Sequence, residues 1–538
     1  MSERVQKNSA YLNGISTTGT ITRVRDVSPT SGMCPICIRE CPFLCEISLS
    51  AFRGREALYP VSKQYGKSTA ASLKEYHLDW SDFNILPNVL GVEGIKADSD
   101  LALFPNVDVS TTIMGIPHKI PVVNGAFGST EIGRVHWDGL AVGSAISGTS
   151  VVIGENVCGM DPNAQFVTGK VTHSEEMARR IRKFREFWDG KNGDVIVQTN
   201  VEDQRMGVDE YVLSKLEVNV IERKWGQGAK AIGGEVRIND IERAVMLKKR
   251  GYLVIPDPED PVVREAFKQD SKSVFDSFER HSRVGIPEHK DFLEDVDWLR
   301  KRGAKKVTIK TGAYRPLAVA FTLKVASEAK VDAVVFDGAG GGTGMSPVPM
   351  MNEMGIPTVY LEALVLRCCE LLKKKGKYVP DVVMAGGFIN ETQIFKSIAM
   401  SNFGDEPIVK AIVMARAPLT AVMKASYFTE LAKAGRLPKA FSEEYSDSPE
   451  KFFIATPKLK QDYGEDFKKI SWEAVGLYTF LNERVKVGLQ QLMAGTRKWK
   501  LNLLDRDDLA SLSTRAAQVT GIPLIEEVDS NQIEQLLA

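Results

Sequence analysis

The chain of 538 residues contains 69 Lys and Arg against 69 Asp and Glu, so its formal net charge is zero. This balance argues against nucleic acid or an anionic membrane as a partner, because both attract basic surfaces. No apolar run is long enough to span a bilayer, and the N-terminus lacks the apolar core of a signal peptide, so we expect a cytoplasmic location.

Four of the seven cysteines crowd into one short segment of an N-terminal arm, residues 1–50. The four are Cys34, Cys37, Cys41 and Cys45, with the spacing C-x2-C-x3-C-x3-C. Their short spacers, and a proline directly after two of them, resemble the ferredoxin-type runs that hold iron–sulfur clusters. We therefore expect a 4Fe–4S cluster on these ligands, with a structural zinc ion as the alternative.

The next region, residues 51–118, shows no clear period, and we expect it to pack against the domain that follows. Between residues 119 and 436, short apolar runs rich in β-branched residues alternate with amphipathic stretches. Alternating strands and helices predict a parallel sheet, and eight such units predict its closure. The sequence therefore predicts an α/β fold, a (β/α)8 TIM barrel.

The predicted elements of the barrel follow from these runs. The eight predicted strands are Ile120–Val123, Thr149–Ile153, Val195–Thr199, Val218–Arg223, Val307–Lys310, Ala333–Asp337, Val382–Ala385 and Ala411–Met414. The amphipathic stretches between them predict helices at Ser174–Trp188, Pro316–Ala329, Val359–Lys373, Thr392–Met400 and Pro418–Ala434.

Two regions do not fit the alternation. Residues 257–292, between the fourth and fifth strands, are charged and punctuated by proline, which predicts a long loop over the barrel mouth. Residues 437–538 predict a helical C-terminal extension, with helices at Trp472–Met493 and Arg506–Val519 and a linker at Lys458–Phe467. We expect this extension to pack on the barrel or on a neighbouring subunit.

The sixth strand leads into a loop that is dense in glycine. The apolar run Val331–Phe336 ends at Asp337, and the loop that follows includes Gly341, Gly342, Thr343 and Gly344. Glycine lets the backbone approach a ligand closely, and its N–H groups can cradle an anion or a ring edge. Ser346 and Pro347 predict an N-cap and the first position of a helix. We expect this loop to bind a ligand at the end of a buried strand.

In a barrel, the functional side chains follow the carboxyl ends of the strands. Gly386 and Gly387 follow the seventh strand and Arg416 follows the eighth, which is the arrangement of a phosphate site. The candidate residues after the other strands are Phe127, Gly128, Ser129, Glu155, Lys224, Gln227, Lys230 and Lys310. Their joint placement at one rim predicts a phosphorylated cofactor or substrate.

From about residue 90 to residue 435, the chain resembles the FMN-binding synthase domain of glutamate synthases. Segment 126–130 is similar to the family's Ser-Phe-Gly-x-Ile-Ser, and Gly154-Glu155 to its Gly-Glu pair. Segment 222–234 is similar to its Ile-Lys-x-Ala-Gln-Gly-Ala-Lys-Pro-Gly-x-Gly-Gly, and Ile309-Lys310 to its Val-Lys. Segment 338–347 is similar to its Gly-x-Asp-Gly-Gly-Thr-Gly-Ala-Ser-Pro.

This resemblance implies FMN as the cofactor and assigns roles to the rim residues. It implies that the phosphate is held by Gly386, Gly387 and Arg416. It implies that Phe127, Gly128 and Gln227 line the isoalloxazine, with Ser129 beside them, and that Lys310 lies near the flavin N1–O2 edge. The polar side of the substrate pocket would comprise Lys224, Gln227, Lys230 and Glu155. Lys310, Lys224 and Gln227 are the implied catalytic residues.

The resemblance also implies a reaction, the reduction of 2-iminoglutarate, formed from 2-oxoglutarate and ammonia, to glutamate. Electrons would come through the cluster from ferredoxin or from an NAD(P)H-oxidising flavoprotein subunit. The family's glutamine amidotransferase has no counterpart in this sequence, so ammonia, an amine or a separate amidotransferase subunit would supply the nitrogen. We therefore expect an oligomer or a hetero-complex.

The sequence departs from the family pattern at rims that face the substrate. Gly340 stands in place of the acidic residue of the glycine loop, and Asn156-Val157 in place of two glycines. The family's 3Fe–4S cysteines, which follow the barrel, are absent. These departures favour an alternative, an FMN and iron–sulfur electron-transfer subunit of a larger NAD(P)H- or hydrogen-linked complex. A third hypothesis makes the four cysteines a zinc site, with FMN reduced directly by a nicotinamide.

Overall fold

The computed structural model describes residues 76–228, 235–268, 277–341 and 346–538, together with residues 39, 51 and 74. Several predicted site residues lie outside these ranges, namely Cys34, Cys37, Cys41, Cys45, Lys230, Gly342, Thr343 and Gly344.

The strands of the described residues fall into one barrel and several small sheets. In chain order they are β1 (Phe83–Ile85), β2 (Thr111–Ile113), β3 (Ile116–His118), β4 (Val122–Phe127), β5 (Ser150–Ile153), β6 (Gln165–Val167), β7 (Lys170–His173), β8 (Val195–Thr199), β9 (Val220–Lys224), β10 (Glu235–Ile238), β11 (Leu253–Ile255), β12 (Phe278–His281), β13 (Lys306–Thr311), β14 (Ala333–Asp337), β15 (Asp381–Ala385), β16 (Val409–Met414) and β17 (Leu509–Ser511).

Eight of these strands close a parallel barrel in the order β4, β5, β8, β9, β13, β14, β15 and β16, with β16 pairing back onto β4. Each of the eight predicted strands overlaps one of them, so the predicted (β/α)8 barrel is confirmed. Strand β4 runs further than predicted, because the polar residue Asn124 does not end it. The Asn124 amide is buried and donates to Ser144 Oγ and Thr149 Oγ1, both at 3.0 Å.

Helices cover the outside of the barrel and continue into the C-terminal extension. The described helices are Glu131–Val135, Trp137–Ile146, Val157–Met160, Glu175–Arg185, Val201–Arg205, Val208–Lys215, Ile241–Lys249, Pro261–Lys268, His289–Lys301, Pro316–Glu328, Val348–Glu353, Thr358–Lys374, Glu391–Met400, Arg416–Lys433, Lys439–Tyr445, Pro449–Phe452, Thr456–Tyr463, Trp472–Tyr478, Val487–Gly495, Thr514–Thr520 and Ser530–Leu537. The five helices predicted for the barrel each match one of these. Within the described ranges, no helix combines the length and apolarity needed to cross a membrane.

The barrel interior is filled with small and β-branched side chains, and a hairpin closes its N-terminal end. Val123, Val152 and Val335 belong to one buried cluster, which also takes in Ile113 and Met114 of the β2–β3 hairpin. The Met114 N–H donates to Asp381 Oδ2 at 2.6 Å, which fixes the hairpin to the start of β15. Because this end is plugged, the open end of the barrel is the carboxyl end of its strands.

Residues 257–292 are not the long loop that was predicted, since they contain the helix Pro261–Lys268 and strand β12 and belong to a larger insertion between β9 and β13. Strands β10, β12 and β11 form an antiparallel sheet, and the helices Ile241–Lys249 and Pro261–Lys268 accompany it. The loop prediction is wrong because strand β12 contains the charged residues Glu279 and Arg280, which do not give the apolar pattern of a buried strand. In β12, Phe278 is buried, while the Arg280 guanidinium lies 4.9 Å from the centroid of the Tyr252 ring. The predicted loop, residues 257–292, also included the start of the helix His289–Lys301, which lies on the barrel.

The C-terminal extension packs against the barrel helix Trp137–Ile146. A Cβ atom added at Gly143 would lie 2.8 Å from the Leu477 Cβ, so glycine is what lets the two helices approach. Two details of the prediction are wrong. Residues 509–511 form β17, antiparallel to β1, and they divide the predicted second helix into a 3-10 turn at Arg506–Asp508 and the α-helix Thr514–Thr520. The predicted linker is the helix Thr456–Tyr463 followed by a 3-10 turn.

Candidate active site

Two buried lysines lie at the carboxyl end of the barrel strands. Lys224 ends β9, and its ammonium group has three internal acceptors: Glu155 Oε2 at 3.2 Å, Gln198 Oε1 at 3.3 Å, and Gln227 Oε1. These acceptors come from the loop after β5, from β8 and from the loop after β9. The structure therefore brings together three of the predicted residues, Lys224, Gln227 and Glu155.

Gln198 links this group to a carboxyl group deeper in the barrel. Its Nε2 donates to Glu222 Oε1 at 2.6 Å, while its Oε1 accepts from Lys224. Glu222 also accepts from Thr308 Oγ1 at 3.4 Å. Glu222, Thr308 and Lys310 line a small cavity of about 20 Å³ inside the barrel. A continuous polar layer thus runs from the rim into the barrel core.

The second lysine, Lys310, lies near the end of β13 and is only 6% exposed. Its Nζ lies 3.4 Å from Asp337 Oδ2, at the end of β14, and Asp337 is 5% exposed. Sequence reasoning did not include Asp337 or Gln198 among the site residues. Both are polar residues in buried strands, which was the available signal, but their partners are set by strand pairing.

Burial and neighbouring charges act differently on the two lysines. Burial lowers the pKa of Lys224, and the positive charge of Lys310 adds to this effect. Burial also acts to lower the pKa of Lys310, but the carboxylates of Asp337 and Glu222 outweigh it and raise that pKa. Burial raises the pKa of Glu222. The site therefore holds one lysine that keeps its proton and one that releases it more readily.

The described part of the glycine loop lies directly over this pair. A Cβ atom added at Gly341 would lie 2.6 Å from Asp337 Oδ1, and one added at Gly228 would lie 2.8 Å from the Gly341 carbonyl oxygen. Only glycine permits so close an approach of two loops and a side chain. Ser346 is not the N-cap that was predicted. The next helix begins at Val348 after Pro347, and the buried Ser346 Oγ has no hydrogen-bond partner among the described residues.

The loops after β15 and β16 provide the features of a phosphate site. Gly386 and Gly387 have φ of +121° and +97°, in the region that favours glycine. A Cβ atom at Gly386 would lie 2.6 Å from the Gly338 nitrogen. Arg416 is exposed and is the first residue of the helix Arg416–Lys433. Since β15 and β16 are neighbours, their loops present two flexible-backbone glycines, a cation and a helix N-terminus on the same rim.

The loop after β4 is anchored by hydrogen bonds from a buried arginine. Arg180 is buried, and its Nη1 donates to the carbonyl oxygens of Phe127 and Gly128 at 2.9 and 3.0 Å. The Phe127 ring belongs to the main hydrophobic core, whereas Gly128 and Ser129 are half-buried. A Cβ atom at Gly128 would lie 2.8 Å from the Glu155 carbonyl oxygen, so this loop contacts the one that carries Glu155.

The insertion covers the rim beyond β5 and β8. The Tyr252 hydroxyl donates to Asn156 Oδ1 at 2.9 Å, and Arg283 forms an ion pair with the buried Glu202 at 2.9 Å. The Asn156 N–H donates to Asp203, whose pKa burial raises to about 7. Among the described residues, no group of three or more His, Cys, Asp or Glu could hold a metal ion; the four N-terminal cysteines lie outside them.

Several solved structures resemble the whole chain weakly. An (S)-mandelate dehydrogenase, described as a monotopic membrane protein, has 14% identity and a TM-score of 0.42, covering 80% of this chain and 89% of its own. A lactate oxidase of Pediococcus acidilactici has 13% identity and a TM-score of 0.38, covering 78% and 81%. The assignment of the barrel rests on the strand pairing of this chain.

Sequence comparison gives a more specific result. Residues 275–417 match the family described as conserved region in glutamate synthase. The archaeal glutamate synthase (NADPH) of Methanocaldococcus jannaschii is 29% identical over 206 residues, which cover 38% of this chain and 35% of that relative. The alignment thus spans about a third of the relative's length. The family match, residues 275–417, includes Lys310, Asp337, Gly386 and Arg416. This chain therefore contains a glutamate synthase-like domain.

Proposed function

We propose that this chain is an FMN-dependent oxidoreductase of the glutamate synthase type. The rim residues fit FMN. A Cβ atom at Gly386 would lie 2.6 Å from the Gly338 nitrogen and one at Gly387 would lie 3.1 Å from the Gly340 carbonyl oxygen, so glycine is what lets these two loops form one cradle. Arg416 offers a cation beside a helix N-terminus for the phosphate. Lys310 offers a buried cation suited to the flavin edge that gains negative charge on reduction. When bound, FMN supplies the transfer of electrons to the substrate as hydride.

The proposed substrate is 2-iminoglutarate, formed from 2-oxoglutarate and ammonia with loss of water. It gains two electrons and two protons and becomes glutamate. The observation that carries this proposal is the placement of two buried lysine side chains at one rim, with Lys224 Nζ 3.2 Å from Glu155 and Lys310 Nζ 3.4 Å from Asp337. Lys310 stays charged and stabilises developing negative charge, while Lys224 binds the substrate and donates a proton to its nitrogen. Gln227 and Glu155 orient the Lys224 ammonium group.

Electrons must reach the rim one or two at a time from outside the barrel. We propose that the four N-terminal cysteines bind a 4Fe–4S cluster that receives them from ferredoxin or a partner subunit. Tyr76 and Trp80, which follow the cysteine segment in the sequence, line a cavity of about 400 Å³ together with Gly340, Gly386 and Gly387. The proposed cluster segment thus precedes, in the chain, residues that lie at the rim.

A second candidate function is electron transfer without a 2-oxo acid substrate. One feature favours it: an ammonium group has three N–H donors, and all three of Lys224 are already matched by acceptors of the chain. A substrate would have to displace at least one of them. In this case the chain would pass electrons from its cluster to a partner subunit through the flavin.

The deciding experiment is an anaerobic reoxidation. The purified chain is photoreduced, 2-oxoglutarate and ammonium are added, and flavin absorbance and glutamate are followed together. Recovery of the oxidised flavin with stoichiometric glutamate supports the synthase. A flavin that stays reduced with this pair, and is reoxidised only by ferredoxin or another electron acceptor, contradicts it and supports the second candidate.

Variants of two lysines sharpen the experiment. Lys224→Met should slow reoxidation about 100-fold or more, as loss of one preorganised donor does in other enzymes. Lys306→Met is the matched control, because Lys306 begins β13 at the closed end of the barrel and pairs with Asp332 at 3.0 Å. Equal rates for the two variants would remove Lys224 from the substrate pocket.

A further inference from the structure

The side chains of Lys310 and Asp337 meet because of the register between β13 and β14. Lys310 lies opposite Val335, so Asp337 is two residues further along β14 on the same face. Such diagonal positions are close enough for a long side chain to bridge. The Lys310 ammonium group therefore reaches towards the open end of the barrel and meets the carboxylate there, at 3.4 Å.

The carboxylate is enclosed from the rim side. The backbone at Gly341 lies where any Cβ atom would come within 2.6 Å of Asp337 Oδ1, and Gly228 presses on Gly341 in turn. Both members of the pair are almost fully buried. The Lys310–Asp337 pair is thus packed into the rim, and glycine is required beside it at two positions, Gly341 and Gly228.

Four charged groups surround Lys310 on the elements packed against it. They are Glu222 and Lys224 of β9, Glu155 of the loop after β5, and Asp337 of β14. Of these, Asp337 is the one within ion-pair distance. Burial pushes Glu222 towards its neutral form, so Glu222 is the weaker source of compensating charge.

We propose that Asp337 is a positioning residue that fixes the Lys310 ammonium group at the rim and keeps it charged towards the flavin. This inference rests on the proposed function for the identity of the ligand, but not for the pairing itself. It divides the work between the two lysines. Lys310 is a fixed charge and does not exchange its proton during the reaction, which leaves Lys224 as the lysine that does.

The first test measures the charge of Lys310 without flavin. The flavin-free full chain is methylated with formaldehyde and a mild reductant between pH 6 and 11, and the Lys310 peptide is quantified by mass spectrometry. Asp337→Asn should lower the pH midpoint of Lys310 methylation by about one to three pH units, because an opposite charge at this distance is lost. Glu222→Gln should lower it less.

The control is Glu362→Gln, which removes a fully buried carboxyl group on the helix Thr358–Lys374 and should leave the midpoint unchanged. An unchanged midpoint in Asp337→Asn would overturn the proposal, as would a larger shift in Glu222→Gln. This test uses no flavin. If the chain failed to bind FMN, the proposed function would be refuted, but the methylation result would remain valid.

The second test separates a charge effect from a structural one. A guanidinium group stays charged without a carboxylate partner. Asp337→Asn should therefore lower the flavin midpoint potential in the parent chain, where Lys310 loses charge, but raise it in a Lys310→Arg background, where the positive charge stays and the carboxylate is gone. An equal drop in both backgrounds would show that Asp337 only shapes the loop, and would overturn the proposal. If Asp337→Asn alone does not fold, Asp337→Glu should keep the methylation midpoint within about half a pH unit of the parent, and a lower midpoint would count against the proposal.

Discussion

Asn156 illustrates how one residue changes a rim loop without changing its path. Its backbone is left-handed, with φ of +66°, at a position where the glutamate synthase pattern has glycine. Asn is among the few other residues that adopt this conformation routinely. The substitution therefore keeps the backbone turn and adds an amide that bonds to Tyr252 and Ser282. The Asn156 side chain thereby anchors the insertion to the loop after β5.

Arg416 carries a prediction at the same scale. Arg416→Ala should weaken FMN binding roughly tenfold or more, because it removes a charge-assisted contact to the phosphate. The dissociation constant can be measured by titrating the flavin-free chain with FMN and following flavin fluorescence. Lys433→Ala, at the other end of the same helix, is the control. Equal affinities for both variants and the parent would place the phosphate elsewhere.

At the scale of elements, the helices Thr358–Lys374 and Glu391–Met400 enclose a carboxyl group between them. Glu362 is completely buried, and within the described part of the chain its only hydrogen bond is the one that it accepts from Ser397 Oγ at 2.7 Å. Burial raises the pKa of Glu362 well above its ordinary value. The helix contact therefore favours the neutral acid, and the folded chain holds this proton more tightly than the unfolded chain.

This contact makes stability depend on pH. At a pH below the pKa of Glu in the unfolded chain, the Glu362 carboxyl group is protonated in both the folded and the unfolded chain. It then does not lower the free energy of unfolding. Above that pKa, the unfolded chain releases the proton first, so the free energy of unfolding falls by up to about 1.4 kcal/mol per pH unit until the folded pKa is reached. Urea unfolding at pH 5 and pH 8 should show this loss in the parent and a smaller loss in Glu362→Gln. The same loss in both chains would assign the pH dependence to other groups.

The elements also show which parts of the fold a sequence can reveal. The barrel strands were predictable because they are buried on both faces and read as apolar, β-branched runs. The sheet of the insertion was not, since Glu279 and Arg280 are charged and find their partners only after folding. The glycine pair after β15 was recognised from the sequence, and its role in binding a phosphate stays a prediction. Asp337 was not recognised, because its role depends on which residue of β13 lies diagonally opposite.

At the scale of the whole molecule, both ends of the described chain wrap the barrel together. Strand β1 pairs with β17, and Trp499 Nε1 donates to the Leu103 carbonyl oxygen at 3.0 Å. Gln490 Nε2 donates to the Val107 carbonyl oxygen at 2.9 Å. The barrel thus supports one composite layer, built from both ends of the described residues.

A variant of the N-terminal arm tests the proposed path of electrons from the cluster to the flavin. Cys37→Ser should abolish a broad absorption near about 400 nm, as expected for thiolate-bound iron, and should lower the iron content while leaving the flavin in place. Cys368→Ser, on a barrel helix, is the matched control. Full iron content in Cys37→Ser would exclude this ligand set, and zinc in place of iron in the parent would favour a structural metal site.

The pairing of β1 with β17 has a consequence for biosynthesis. Residues 83 and 511 are joined in adjacent strands, so the ribosome must make the whole barrel between them first, which takes roughly 20 to 90 s at about 5–20 residues per second. Until then the first strand has no partner, and its backbone remains open to chaperones. Strand β1 is therefore among the last parts of the described fold to dock.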